Sequence, residues 1–276
     1  MFDPRGPTLV ELARQALAST RRGYDLLAPK FDWTPFRTPD WLLEAVVPLL
    51  GEPGASIDLC CGTGAALPFL MRISRELVVG VDFSLGMLTE ALVPSGSGAG
   101  DARSGRAGRR APTARSGAST VGYRPASGDP WSAAPAPLPG VRPRVLLVQQ
   151  DVLELGFRER FDLATIFGAL GHLRPAVQAR FLAQARSCLV PGGTLAFVTA
   201  SLPPPWSLSL WLAAGFDASM WVRNRLWRPP FYMYYLAWPL GRALRLLREA
   251  GFTPEVRRLG LRGPLSRLRL VLARRG

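Results

Sequence analysis

The sequence predicts a doubly wound α/β protein with seven strands in a mostly parallel sheet. A short apolar run at 56–60 breaks into small residues at 61–64, and a second apolar run at 77–82 ends in Asp82. A strand, a glycine-rich turn, a helix and a second strand that ends in an acidic residue form the first half of a nucleotide-binding unit. Asp82 follows Asp58 by 24 residues, close to the interval of about 20 between such glycines and a ribose-binding acid.

Helices are predicted before and between these strands. The first has apolar side chains at i, i+3 and i+4 spacing, which is typical of an amphipathic helix. The second begins after Pro39, and Ser84 is a suitable N-cap for the fourth. Residues 1–52 together are predicted to form a helical cover. The predicted helices of this half lie at 8–28, 40–50, 65–74 and 84–92.

Residues 94–144 differ in composition from the chain on either side. Gly, Ser, Ala, Pro and Arg dominate, and apolar residues never become periodic. Such a segment cannot bury enough apolar surface to offset the entropy of ordering it, so we predict a disordered insertion. Without these 51 residues, the separation of Asp82 and Asp151 falls from 69 residues to 18, the usual interval for a helix plus a strand. The prediction of an insertion and the prediction of a third strand at 145–148 therefore support each other.

The second half continues the alternation of helix and strand and then departs from it. A helix is predicted over 175–188 and a strand over 194–199. Residues 202–240 then hold five of the eight tryptophans and three of the five tyrosines. In a doubly wound sheet this insertion emerges at the carboxyl ends of the strands, where ligands bind, so we predict a lid over the site. A membrane-contacting surface, extra core packing and a dimer interface are the alternatives.

The turn and several later segments resemble one enzyme family. The run from Asp58 to Gly64 lacks the third glycine of a dinucleotide fingerprint and begins with an acid, which suits a ligand with positive charge. It resembles motif I of the class I S-adenosylmethionine-dependent methyltransferases, with Cys60 where that pattern has its first glycine. The resemblance covers roughly 40–93 and 145–276, and it implies the fourth, sixth and seventh strands. Segments similar to the family's later motifs lie, in the family's order, at 80–88, 149–152, 161–167, 189–198, 248–252 and 268–273.

The resemblance implies a Rossmann-like methyltransferase that uses S-adenosylmethionine to methylate a small, lipophilic acceptor on oxygen, nitrogen or carbon. By the same resemblance, Asp82 would bind the ribose diol of the cofactor. Gly62 and Gly64 would form the binding turn. Asp151 would accept from the adenine amino group, and the backbone amide of Val152 would contact a ring nitrogen.

Three further cofactor contacts are implied around this turn. Phe83 would lie against the adenine face, and Asp58 would hold the turn or reach the cofactor's amino group through water. Residues 24–32 resemble the family's lead-in "Y-D-x-L-A-x-x-Y-D", a lid over the cofactor, so Tyr24 is expected to close over the methionine end. Each residue also has an ordinary alternative: a core aromatic for Phe83, a loop-capping carboxylate for Asp151 and a helix-end aromatic for Tyr24.

His172 is the only histidine, and it follows the predicted fourth strand, close to where the transferred methyl group is expected. An imidazole with an ordinary pKa of about 6.5 can act as a general base, so His172 is the catalytic candidate. A loop histidine that caps or packs is the favoured alternative, because many methyl transfers need no strong base. Cys60 and Cys61 are better explained as small turn residues than as nucleophiles, and no metal-ligand spacing exists in the sequence.

The distribution of charge limits the partners. The formal net charge is +14, a balance that nucleic-acid-binding proteins often have. Residues 94–144 contribute +6 and residues 241–276 contribute +8, so the rest of the chain is near neutral. The chain has one lysine, Lys30, which indicates an arginine preference throughout. Nucleic acid is therefore not an expected partner, a small-molecule substrate is, and the oligomeric state stays open.

Other features of the composition indicate a single domain over 1–276 in the cytoplasm. Three cysteines, two of them adjacent, do not form a disulfide framework. The chain has no uncharged apolar run of about 18 residues and no secretory apolar core at its start. Peripheral contact with a membrane through 202–240 is a further expectation.

Other functions on the same fold were weighed against methyl transfer. An aminopropyl transferase would need an acidic polyamine-binding motif after the fourth strand. A nucleic-acid methyltransferase would be favoured by an Asn-Pro-Pro-Tyr-like or cysteine-containing catalytic loop at the same place. Residues 168–172 are neither. The remaining alternative is a non-catalytic cofactor-binding or partner subunit that has kept the fold.

Overall fold

The structure is a computed structural model that describes residues 3–92, 120–122 and 143–276. Its described residues form one sheet, and the predicted mostly parallel α/β architecture is confirmed. The strands are β1 (Ala55–Leu59), β2 (Leu77–Asp82), β3 (Thr120–Gly122), β4 (Arg144–Gln149), β5 (Phe161–Ile166), β6 (Leu189–Ala200), β7 (Phe252–Arg258) and β8 (Leu268–Arg275). They follow the order β3-β4-β2-β1-β5-β6-β8-β7. The central neighbours from β4 to β6 are parallel, and the outer pairs are antiparallel.

The helices predicted at 40–50, 65–74, 84–92 and 175–188 are present with adjusted ends, whereas the helix at Leu208–Leu226, inside the insertion 202–240, was not predicted. The helices are α1 (Leu9–Leu17), α2 (Thr20–Leu27), α3 (Asp40–Val46), α4 (Leu67–Ile73), α5 (Leu85–Ala91), α6 (Pro175–Cys188), α7 (Leu208–Leu226) and α8 (Leu240–Glu249). Ser84 caps α5 as predicted, since its side chain accepts a hydrogen bond from the Met87 N–H. α3 ends at Val46 rather than at residue 50, because Pro48 has no N–H with which to continue the helix.

The prediction of one helix over 8–28 is wrong, because the chain forms α1 and α2 there. The backbone is extended at Ala18 and Ser19, between the two helices. The Ser19 hydroxyl then accepts a hydrogen bond from the Arg22 N–H and caps α2. Serine favours this position because its side chain replaces a backbone acceptor that the first turn of a helix lacks.

The predicted disordered insertion at 94–144 needs one correction at the edge of the sheet. Thr120–Gly122 form β3, which pairs antiparallel with β4, and Arg144 already belongs to β4. The seven predicted strands are therefore present, and β3 adds an eighth among the described residues. The rest of this prediction, at 94–119 and 123–142, lies outside the described residues.

Helices cover both faces of the sheet. Phe181 of α6 and Leu247 of α8 are buried on one face, while Leu43 of α3 and Phe69 of α4 are buried on the other. All five residues of β1 are buried, as expected for a parallel strand covered on both sides. Among the described residues, no helix combines the length and apolar character needed to cross a bilayer.

Candidate active site

A cavity of about 440 Å³ lies at the carboxyl ends of the parallel strands. This volume is in the range of about 300–1,000 Å³ that is usual for small-molecule sites. The turns after β1, β2, β4 and β5 form its floor, because parallel strands end at the same edge of a sheet. The N-terminal cover and the segment 232–235 enclose it from above.

The turn after β1 is held in a conformation that few side chains adopt. Cys60, Gly62 and Gly64 all have positive φ, at 58°, 56° and 84°. Cys60 is one of two described non-glycine residues in this region, which costs an ordinary residue roughly 1–2 kcal/mol. The backbone N–H of Cys61 donates to the carbonyl of Val81, so the turn is fixed to the neighbouring strand.

The two predicted turn glycines have different surroundings. Gly62 lines the cavity, where a side chain would project toward bound ligand. Gly64 does not line it; a Cβ there would lie 3.1 Å from Leu67 and 3.3 Å from Ala91. Gly64 therefore allows α4 and α5 to approach the turn, and Gly62 is the glycine beside the ligand space.

Asp82 is buried at the end of β2 and lines the cavity, with 5% of its surface exposed. Its Oδ2 accepts from the Gly62 N–H and its Oδ1 from the Ser84 N–H, each at 2.9 Å. Each carboxylate oxygen keeps a second lone pair for a ligand hydroxyl. Burial raises the pKa of Asp82 to about 6, against the opposing effect of these two backbone hydrogen bonds.

Three other predicted cofactor residues line the same cavity. Phe83, Asp151 and Val152 follow the ends of β2 and β4 and come together there. The Asp151 carboxylate accepts from the Leu153 N–H at 2.9 Å, so it orders its own loop as well as facing the cavity. The backbone carbonyl of Phe83 accepts from Gln149 at 3.2 Å, which ties the two turns together.

Asp58 has a structural contact rather than a place in the cavity wall. Its Oδ1 accepts from the Thr165 hydroxyl at 2.7 Å, which joins β1 to β5 below the turn. Asp58 is not among the residues that line the cavity. Burial is the main reason that its pKa is raised to about 7.

Two aspartates of the cover, which sequence reasoning did not assign, tie the cover to the binding turns. Asp25 Oδ1 accepts from the Ser84 hydroxyl at 2.6 Å and from the Gly86 N–H at 3.0 Å. Asp32 Oδ1 accepts from the Thr63 hydroxyl at 2.6 Å. These are the two acidic positions of the lead-in motif at 24–32. The sequence therefore marked both residues, but it did not indicate which residues they contact.

His172 and Tyr24 form a hydrogen-bonded pair at the cavity. His172 lies in a 3₁₀ turn after β5, and its Nδ1 is 2.5 Å from the carbonyl oxygen of Tyr232. A carbonyl oxygen only accepts, so Nδ1 bears the proton and Nε2 has the free lone pair. Tyr24 Oη, 2.8 Å from Nε2, must then donate to it.

The protonation of this pair follows from its burial. Burial lowers the pKa of His172 below its ordinary value, so the imidazole is neutral near pH 7. Burial, and then the charge of Asp82, raise the pKa of Tyr24, so the phenol keeps its proton. The same two causes raise the pKa of the Cys60 and Cys61 thiols well above the ordinary value, which argues against a thiolate nucleophile.

The aromatic insertion contributes part of the wall. Tyr232, Met233 and Tyr235 line the cavity, and the Arg174 guanidinium lies 4.7 Å from the centre of the Tyr232 ring. Sequence reasoning named the insertion 202–240 but none of these side chains, because their order along the chain does not indicate which ones turn inward. Among the described residues there is no cluster of side chains suited to a metal ion.

Comparisons with known proteins agree with this geometry. A family model described as "Methyltransferase domain" matches residues 36–255. No curated protein gives a significant match. The structure resembles the complex of DhpI with SAH, with a TM-score of 0.55, 17% identity and 98% and 99% of the two chains covered.

Two more distant structures share the fold. Human N-acetylserotonin methyltransferase, in complex with SAM, has a TM-score of 0.52 and 13% identity; 93% of this chain and 56% of that chain are covered. An O-methyltransferase family protein from Burkholderia thailandensis has a TM-score of 0.50 and 14% identity, with 93% and 59% covered. At these identities the similarity concerns the fold.

Proposed function

The chain belongs to the methyltransferase domain family, and from this premise we propose that it methylates a hydroxyl group of a small, lipophilic acceptor with S-adenosylmethionine. The observation on which the choice of hydroxyl depends is the Tyr24–His172 pair. A neutral imidazole with its lone pair directed at a phenol inside a ligand-sized cavity is equipped to take up a proton.

The residues around the cavity fit the cofactor. Asp82 offers two oxygens with free lone pairs to a ribose diol, and its charge suits a cationic sulfonium. The 62–63 turn leaves space for a nucleoside, and Phe83 with Val152 offers an apolar surface for adenine. Two of the similar structures are described as complexes with SAM or SAH, which supports the same cofactor here.

The cofactor supplies an electrophilic methyl group on a positively charged sulfur. The protein's own contribution is to align the acceptor and exclude water, which can lower a barrier by several kcal/mol. The acceptor side of the cavity has apolar groups from Phe36, Val177 and Met233. A flat, lipophilic molecule with one hydroxyl matches that wall.

Tyr24 and His172 would handle the proton of the acceptor hydroxyl. The acceptor donates to Tyr24 Oη, and Tyr24 donates to His172 Nε2. When the acceptor oxygen takes up the methyl group and the methyl–sulfur bond breaks, the acceptor proton would pass to Tyr24 and the phenolic proton would pass to His172. The Tyr232 carbonyl holds the imidazole in the required tautomer and stabilises the imidazolium.

The test is an acceptor panel of matched phenols, anilines and enols, incubated with protein and S-adenosylmethionine and analysed by mass spectrometry for methylated product. We expect methyl ethers. With the best acceptor, kcat/KM should rise with pH through a pKa below 6.5, and His172→Gln should lower kcat about 100-fold or more while S-adenosylhomocysteine binding stays unchanged. Methylation only of nitrogen or carbon, with His172→Gln as active as wild type, would contradict the proposal.

A further inference from the structure

α7 is an exposed helix whose outward side is apolar. None of its 19 residues is buried. Leu208, Trp211, Leu212, Val222 and Leu226 are all exposed, with 73%, 65%, 66%, 45% and 79% of their surface open. The other four follow Leu208 at intervals of 3, 4, 14 and 18 residues, which places all five on one side of the helix. We call these five side chains the α7 apolar face.

Two polar side chains of α7, Asp217 and Asn224, point toward the protein. The Asp217 carboxylate accepts from the backbone N–H groups of Tyr235 and Leu236, at 2.7 and 3.0 Å. Asn224 donates to the carbonyl of Phe231 and accepts from its N–H, both at 2.9 Å. A surface helix normally turns its apolar side to the core and its polar side to water, so the exposed apolar face of α7 departs from the usual arrangement.

Tryptophans and arginines border the α7 apolar face. Trp206 and Trp227 lie just beyond the two ends of the helix and are exposed. Arg225 and Arg228 are exposed at the C-terminal end. Asp217 is the only carboxylate of α7, and it faces inward. The exposed surface of the helix is therefore mostly apolar, interrupted by Ser209 and Ser219, with arginines at its C-terminal end.

α1 also exposes apolar side chains, and it approaches α7 at one end. Leu9, Val10 and Leu17 of α1 are exposed, and exposed arginines lie at positions 14, 21 and 22. Arg223 of α7 donates to the carbonyl of Ala18, at the end of α1, at 3.2 Å. The two helices thus meet at one end. Exposed apolar surface of this extent marks an interaction site in most proteins.

We propose that the α7 apolar face, with the exposed side of α1, docks on the interface of an anionic lipid bilayer. A helix of about 28 Å with exposed apolar side chains, tryptophans at its ends and arginines near one end presents groups that favour the interface of an anionic membrane. A second copy of this chain would present the same arginines, and a net charge of +14 repels like copies. Charge therefore favours anionic lipid over self-association.

Docking there would place the methyl-transfer cavity beside the bilayer. α7 holds the segment 231–236 through Asp217 and Asn224, and Tyr232, Met233 and Tyr235 of that segment line the cavity. A lipophilic acceptor could then enter from the membrane. The docking itself does not depend on the proposed reaction, and its readout is lipid binding.

The test is co-sedimentation of the full chain with vesicles of phosphatidylcholine alone or mixed with phosphatidylglycerol. We expect binding to the mixed vesicles that weakens with salt. The double variant Trp211→Gln/Leu212→Gln should bind about tenfold or more weakly. Leu265→Gln, which changes an exposed leucine far along the chain, should bind like wild type. Circular dichroism and S-adenosylhomocysteine affinity should match in all three proteins, so that docking and cofactor binding are judged separately.

Two results would overturn the proposal. One is the absence of vesicle binding by the wild type, or equal binding by the double variant. The other is a stable dimer in light scattering that the double variant splits into monomers, because the α7 apolar face would then be covered by a second copy.

Discussion

Replacing Asp82 by asparagine should weaken cofactor binding much more than it changes the fold. The two carboxylate oxygens accept from the Gly62 and Ser84 N–H groups and can each accept from one ribose hydroxyl as well. The amide keeps one acceptor oxygen and places an NH₂ group at the other position. One hydroxyl therefore loses its acceptor, and the other loses a charged one.

The size of the loss follows from these contacts. A hydrogen bond to a charged group contributes about 1.5–3 kcal/mol, so losing one and weakening the other should cost about 2–4 kcal/mol of binding free energy. This corresponds to about a 30- to 1,000-fold weaker Kd. The NH₂ group of the variant also faces a backbone N–H, which is a second donor. This unfavourable contact exists in both the free and the bound protein, so it lowers the stability of the fold rather than the affinity for the cofactor.

Isothermal titration calorimetry with S-adenosylhomocysteine would measure this loss of affinity. A pH near 8 is suitable because Asp82 and Asp58, with pKa values of about 6 and about 7, are then both ionised. Asp58→Asn is the matched control: it is also a buried strand-end carboxylate, and its amide oxygen can still accept from Thr165. Its Kd should stay within about threefold. Wild-type affinity in Asp82→Asn, or an equal loss in Asp58→Asn, would refute the reasoning.

Three other outcomes are expected. Tyr24→Phe keeps the ring but removes the hydroxyl that donates to His172. In steady-state assays kcat should therefore fall about tenfold or more, while the Kd for S-adenosylhomocysteine stays unchanged. A loss of affinity with kcat unchanged would instead assign Tyr24 a packing role. The folded-state pKa values of Asp58 and Asp82 lie above 3.8, so the free native protein holds more protons than the unfolded chain, and its unfolding free energy should fall as pH rises from about 4 to 8. Calorimetry should show a weaker decline in Asp58→Asn, and an unchanged decline would assign it to other groups. Thr63→Val removes a hydrogen bond to the cover, so stopped-flow should show faster S-adenosylhomocysteine release than in Thr89→Val, whose hydroxyl bonds only its own helix.

Much of the fold was predictable because its causes are local in the sequence. The apolar runs at 56–60 and 77–82 form adjacent parallel strands, and the glycines between them take the positive φ values that the turn requires. Ser84 caps its helix because its hydroxyl reaches an N–H three residues away. Asp82 was identifiable from its position at a strand end, before any contact was known.

The errors occurred where distant contacts outweigh local pattern. The apolar spacing at 8–28 favoured one helix, but Ser19 ends that continuity, and the exposed side of α1 shows that the periodicity did not indicate the core. The sequence placed Asp58 and Asp82 on either side of the turn but did not show their partners. β5 supplies Thr165 to Asp58, and the turn supplies Gly62 to Asp82.

The sequence by itself determined the order of strands and helices, the turn and the acid at the end of β2, because each depends on residues that are close together in the chain. The tertiary structure decided the surroundings of His172. Its tautomer is set by the Tyr232 carbonyl, 60 residues away, and its lone pair is directed at Tyr24, 148 residues away. The inward direction of Asp217 and Asn224 on α7 was decided in the same way, because the segment 231–236 offers them backbone partners.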